Sequence, residues 1–435
     1  MRLAPVRPFV TLAALASAAL ALAAAYEGPR SFTASELLKP AQVKGPHHSV
    51  APTVKTEGYM HVFDITTDYG PLEAEGETLL LVRLLEVGAL AELDKVSKSE
   101  VFLKAAGTSV LNVGKGVASV VQDPKATAAG MGAGVKRFGT NLGRKAKRTT
   151  DKAVDSATSD KKDESGKSTT DKAASTTVGV ANSVLGVNGA ARRWAQKVGA
   201  DPYTSNPVLK KALIDIGRID TAGGMAAKIA VPIPPIVSGT ATAGKLVWAK
   251  DPEALLKENE QKLKEIGVGG DVIKQLYLSK GFTLTLHTAL AGNLHQVNVP
   301  GVADYVAAAA EADAERTGIF FAESAGMLAR LHKQAPVAAV LTDSRALVAK
   351  TKDGRAVVLL PVDWVQWTAA YEKALTEVEK RAKAELGATK LELRMTGTMS
   401  AVAKKEMAAR GWTVTENVPL SFELAQAQAK SAPKK

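Results

Sequence analysis

Three histidines and three glutamates of the second half, His287, His295, His332, Glu311, Glu315 and Glu323, are the set from which a metal centre or an acid–base pair could be assembled. Imidazole nitrogens and carboxylates supply metal ligands, and at hydrogen-bond distance they move protons. The chemistry needs them brought together, and no HExxH or comparable local spacing does so. The set reads instead as a strand-facing His287, a loop His295 and a helix-surface His332, and no metal or cofactor is expected. His47 and His48 are adjacent, a spacing that rarely converges on one ion, and read as loop surface without an acidic partner nearby.

Other motifs stop one residue short of chemistry. Gly239, Gly244 and Lys245 approach a phosphate-binding loop, but Leu246 stands where Ser or Thr would hold magnesium. Lys167 and Ser168 follow Gly166, yet Lys161 occupies the place of the first glycine. Ser324 lacks the glycine two positions before it that a nucleophile elbow requires, since Ala322 is there. Glu73 and Glu75 have no nucleophile or pKa-raising neighbour in sequence. Trp364, Trp367 and Trp412 could form a ligand-facing aromatic patch, but large aromatics more often pack in the core or at its rim.

The strongest signal is electrostatic. From Asp123 to Asp151 no acid intervenes, while Lys136, Arg137, Arg144, Lys145, Lys147 and Arg148 accumulate. Such a segment carries an unbalanced positive field suited to an anionic surface, so these six are the candidate binding residues. Gly130, Gly134, Gly139 and Gly143 recur at spacings of four and five, which makes a poor helix or one that a neighbour can approach closely. With few large apolar side chains, the segment is weak as a membrane-lying helix.

Arg2 and Arg7 precede an apolar run from about residue 9 to 22, and Ala23 and Ala25 sit where a signal peptidase would cut before Tyr26. The run is shorter than the roughly 20 residues of a spanning helix. Removing residues 1–25 would take the net charge from +12 to +10, because they hold two arginines and no acid. With no cysteine, the chain can have neither disulfides nor a lipid attached at cysteine. The few aromatics argue against stacking on bases, and no nucleic-acid partner is expected.

The expected class is α+β in several parts: a leader at 1–25, an extended lead-in at 26–57, an N-terminal strand-strand-helix unit with a glycine-rich basic arm at 58–148, a disordered polar linker at 149–177, a mainly helical region at 178–334, a C-terminal α+β domain at 335–424, and a tail at 425–435. In the first unit, residues 62–66 and 72–75 alternate as strands around a turn at 68–71. Apolar steps of three and four predict a helix over 77–96 with one buried face, whose charged residues, Arg83 and Glu86 among them, fall on the solvated side. Between Pro202 and Pro207 a rigid polar turn leads into a helix over 208–219. Helices follow at 251–266 and 271–280, a strand at 282–287, and helices at 302–316 and 321–333. Residues 337–341, 346–350 and 355–360 read as strands, with Asp353 and Gly354 forming a hairpin turn. Residues 368–386 read as a helix, 391–395 and 412–415 as strands flanking a helix at 400–410. This last part supplies apolar faces for an independent core, with Trp412 inside it.

Residues 58–70, 201–207 and 397–412 resemble segments of a family of uncharacterised exported bacterial proteins. That resemblance implies export and no particular activity. The sequence therefore points to a periplasmic or secreted binding or scaffold protein without catalysis, held to anionic lipid or envelope polysaccharide and without a transmembrane span after cleavage. A secreted hydrolase using an acid or histidine of the second half, or a membrane-active effector, are the alternatives. N-terminal sequencing of the envelope fraction is expected to begin at Tyr26; an intact Met1 terminus refutes the cleavage.

Overall fold

Residues 355–360, Arg-Ala-Val-Val-Leu-Leu, leave too few polar positions for a strand with one wet face, and the strand they form is covered on both sides. The computed structural model describes residues 26–99, 102, 189–223, 242–343 and 346–420. The expected leader 1–25, the linker 149–177 and the tail 425–435 lie outside the described residues, as does the basic arm beyond 102.

Six strands make the N-terminal sheet: β1 (Phe32–Thr33), β2 (Lys44–Gly45), β3 (His48–Val50), β4 (Thr53–Glu57), β5 (Met60–Thr67) and β6 (Leu72–Glu75). Their order is β1-β4-β5-β3-β2, with β6 also paired to β5. Two one-turn helices, α1 (Ala34–Leu37) and α2 (Pro40–Val43), lie between β1 and β2. The expected extended lead-in at 26–57 is therefore part of this sheet. Its strands are two to five residues long because Pro29, Pro40, Pro46 and Pro52 interrupt them, too short for an alternating pattern to show.

The helix α3 (Glu77–Ser97) follows as expected, but it is buried on nearly every side. Leu79, Leu80 and Leu84 join the large core, whereas Val87, Leu90, Leu93 and Val96 join a smaller one. The smaller core also holds Trp194 of α4 (residues 189–197) and Leu209, Leu213 and Ile216 of α5 (Pro207–Gly223).

The middle continues with α6 (Thr242–Ala249), α7 (Pro252–Glu265), α8 (Gly270–Leu278), α9 (Leu284–Val297), α10 (Val302–Ala310) and α11 (Glu315–Gln334). The expected strand at 282–287 is instead the approach to and first turn of α9. Thr283 is its N-cap, with its hydroxyl accepting from the Leu286 N–H at 3.2 Å. Three alternating apolar residues cannot separate a strand from a helix buried all round, and the continuous apolar pattern through Val297 decides for the helix. The expected helices at 302–316 and 321–333 break earlier, between Ala310 and Glu315. Gly281 lies against α11 at Gly318, where an added Cβ would stand 1.9 Å from the Gly281 carbonyl oxygen; only glycine admits that approach.

The C-terminal sheet runs β13-β11-β9-β8-β7. β7 (Val337–Asp343), β8 (Ala346–Thr351) and β9 (Arg355–Leu360) are antiparallel neighbours; β11 (Lys390–Met395) pairs parallel to both β9 and β13 (Trp412–Thr415). A short parallel pair, β10 (Trp364–Val365) with β12 (Thr398–Met399), sits beside it. One face carries α12 (Ala369–Leu386) and α13 (Ala401–Ala409), which pack Tyr371, Leu375, Ala403 and Met407 onto Val348, Ala356 and Val358. Thr368 caps α12, Gly387 closes it with φ at +58°, and Ser400 caps α13. Trp412 is buried as expected, with its indole N–H donating to Glu379 at 2.6 Å.

The other face departs from the expectation of an independent core. Leu347, Ala349, Val357 and Leu359 enter the same large core as Phe63 and Ile65 of the first sheet and Leu286, Leu290 and Leu328 of the middle helices. The first described residues are also tied to the segment from 367 to 400. The Glu27 carboxylate accepts from the Trp367 N–H at 2.6 Å and from the Ser400 hydroxyl, and the Tyr26 hydroxyl donates to Glu372 at 2.8 Å. Asp363 accepts from the backbone N–H groups of His61 at 2.8 Å and Glu77 at 3.2 Å. Desolvation at this junction pushes the Asp363 pKa up to about 7, against the pull of the His61 N–H.

A segment 335–424 expressed alone leaves the Leu347–Leu359 face uncovered. It is expected to bind an apolar dye and to lack a cooperative melting transition, where the full chain melts cooperatively. A sharp transition in the isolated segment would show that its second face needs no cover.

Candidate functional site

Charged side chains inside an apolar helical run must find partners or be expelled, and α3 contains such a pair. Arg83 and Glu86 stand one turn apart within an otherwise apolar stretch and are both buried. The Arg83 guanidinium donates to Glu86 at 2.9 Å, to the Ser205 hydroxyl at 3.1 Å and to Glu315 of α11 at 2.5 Å. Burial opposes its charge, but Glu86 and Glu315 more than offset that and hold it protonated. Their assignment to the solvated side of α3 is thus corrected: the helix is enclosed, so its polar positions face protein too.

The partners come from the turn 201–207. Thr204 donates its hydroxyl to Glu86, Asn206 donates its amide to Glu86 at 3.0 Å, and Ser205 donates to Glu315 at 2.6 Å. The Asn206 carbonyl oxygen accepts from the N–H groups of Val208 and Leu209, capping α5. Asp201 accepts from the Tyr203 N–H at 2.8 Å and the Thr285 hydroxyl at 2.6 Å; burial pushes its pKa up to about 6 although both bonds lower it. The void left among Glu86, Asp201, Thr204, Ser205 and Glu315 is about 10 Å³, the room of a single water. The cluster fastens α3, α5, α9 and α11 to one turn, and it leaves no space for a substrate.

The histidines do not meet. His287 is buried in α9 between Tyr277 and Phe282, with ring centroids at 5.1 and 5.2 Å; burial depresses its pKa to about 3, and its Nδ1 has no hydrogen-bond partner. His295 pairs with Glu265 at 2.6 Å, and His332 Nδ1 accepts from the Val337 N–H at 3.2 Å. Of the glutamates, Glu315 belongs to the Arg83 cluster, Glu323 is buried in α11 and Glu311 closes α10. Among the described residues no group of three or more His, Asp or Glu could hold a metal.

The remaining candidates fall apart in space. His47 does have an acidic partner, Asp68 at 2.8 Å, brought to it by the pairing of β3 with β5. Glu75 forms an ion pair with Arg316, and Glu73 lies opposite Asp64 in the sheet. Trp364 packs edge-on against Phe32 at 5.1 Å beside the large core, while Trp367 and Trp412 are buried together under α12 and α13, so the three form no common ligand-facing patch. Gly244 and Lys245 fall inside α6, while Gly239, Lys167 and Ser168 lie outside the described residues. So do Lys136, Arg137, Arg144, Lys145, Lys147 and Arg148. No protein-family model, curated protein or solved structure matches the chain.

Arg83→Met leaves Glu86 buried without its cation and is expected to cost about 3–5 kcal/mol, read as a lowered denaturation midpoint. Lys98→Ala, which breaks the exposed pair with Asp94 at 2.6 Å, should cost less than about 1 kcal/mol. Equal effects would mean the buried cluster is not what fastens the turn.

Proposed function

We propose that the protein is an exported, non-catalytic binding or scaffold protein that associates with anionic material of the cell envelope. The observation that supports this reading is the partition of charge. The described residues hold 35 of the 56 Lys and Arg and 35 of the 44 Asp and Glu, so the whole net charge of +12 resides outside them. A folded body that balances its own charges gives little long-range attraction, whereas the run from Lys136 to Arg148 faces no acid of its own. Attraction of this kind acts within about 10 Å at 0.1 M salt and weakens as salt rises.

No described helix is long and apolar enough to cross a membrane, so the association proposed is electrostatic. Anionic lipid and anionic polysaccharide both supply the counter-charge, and a periplasmic or secreted location would expose the protein to them.

The test is sedimentation with liposomes containing phosphatidylglycerol, and with an anionic polysaccharide, at two salt concentrations. Binding is expected to weaken with salt and to be largely lost when Lys136, Arg137, Arg144, Lys145, Lys147 and Arg148 are all changed to Ser. Unaltered binding in that variant would place the contact elsewhere, and salt-independent binding would refute an electrostatic one.

A further inference from the structure

A second pocket lies where α11 meets β9 and β11, interior strands of the C-terminal sheet, and it is not part of the Arg83 cluster. Its volume is about 130 Å³, against about 10 Å³ for the void in the Arg83 cluster. Two guanidinium groups, Arg330 and Arg394, border it together with Gln334, against apolar walls that include Met327, Leu359 and Val418.

The two arginines differ in how their charge is met. Arg394 donates to Glu392 at 2.6 Å and to the Gln334 side-chain oxygen at 3.0 Å. Glu392 is shared, since Arg355 also donates to it at 2.5 Å. Arg330 donates to the carbonyl oxygens of Leu420, at 3.2 Å, and Pro419. Those acceptors are neutral. Burial pushes the Arg330 pKa down, and Glu323 only partly restores it. A partly buried cation whose hydrogen-bond acceptors among the described residues are carbonyls is under-compensated, and a charge-assisted bond to an anion is the stronger alternative.

We propose that this cavity binds a short-chain monocarboxylate, its carboxylate between Arg330 and Arg394 and its alkyl group against Met327, Leu359 and Val418. The apolar walls favour an organic anion over an inorganic one, and the volume limits the chain to a few carbons. The guanidinium fork suits a planar carboxylate geometrically. The site stands apart from the association proposed above, for none of its residues belongs to the basic run.

Saturation-transfer NMR of butyrate with the full chain tests it, with 1-butanol, acetate and inorganic phosphate as comparators. Butyrate is expected to bind in the millimolar range, more tightly than any of the three. Arg330→Gln should raise its dissociation constant about tenfold or more. Because that change also releases residues 419 and 420, Gln334→Glu serves as the second variant: its site is exposed, so the fold is kept, and its carboxylate occupies Arg394 and repels the ligand. It should weaken butyrate similarly with an unchanged melting temperature. Absence of butyrate binding, equal binding of butanol or phosphate, or unchanged affinity in Gln334→Glu would each overturn the proposal. The variant with the six basic residues changed to Ser should keep full butyrate binding; its loss there would also count against this site.

Discussion

The central strands β8 and β9 of the C-terminal sheet have no face in water, and the rest of the fold follows from that constraint. Successive residues of β8 and β9 point alternately into two different cores, so Val358 packs under α12 and α13 while Val357 and Leu359 pack against the middle helices. A sheet of this kind is stable only if both covers are present. The helical middle and the first sheet act as one of those covers, which makes the large core continuous from Phe32 to Leu359. The parts that composition suggests as separate domains are therefore joined by shared apolar burial.

Polar contacts then fix how those parts meet. In the turn at 201–207 the short side chains of Asp201, Thr204, Ser205 and Asn206 are each bonded to nearby backbone or to Glu86, Glu315 or Thr285. Such a network adds little net stability over an apolar filling, but it tolerates only one arrangement of its members. Asp363 plays the corresponding part between the first sheet and β10, where it meets the first turn of α3. The positive end of the helix dipole and the backbone donors there suit a carboxylate.

Much of the C-terminal architecture was legible in the sequence because its signals are local. Thr368 with Gly387, Ser400 with Gly411, and the Asp353–Gly354 turn mark boundaries without reference to anything distant. The lead-in was illegible for the opposite reason: its short strands gain their pattern only by pairing with β5 and with one another. Thr283 was a readable cap, but the alternation of Leu284 and Leu286 masked it. Arg83 and Glu86 were the residues most open to a better reading, since two charges inside an apolar run from Thr78 to Ala91 cannot all face water once the helix is enclosed. Their partners could not be read, because Ser205 and Glu315 are brought to them only by the tertiary fold.

The seating of Tyr26 and Glu27 on Trp367, Glu372 and Ser400 spans some 340 to 373 positions of sequence. Contacts of such separation form late, because the intervening loop must close before any of them is gained. During synthesis Tyr26 and Glu27 have no final resting place until the segment from 363 to 400 exists. The strands from β1 to β6 can pair among themselves earlier, so the two residues that precede them are left to seat last, as a clasp fastened after the parts it joins.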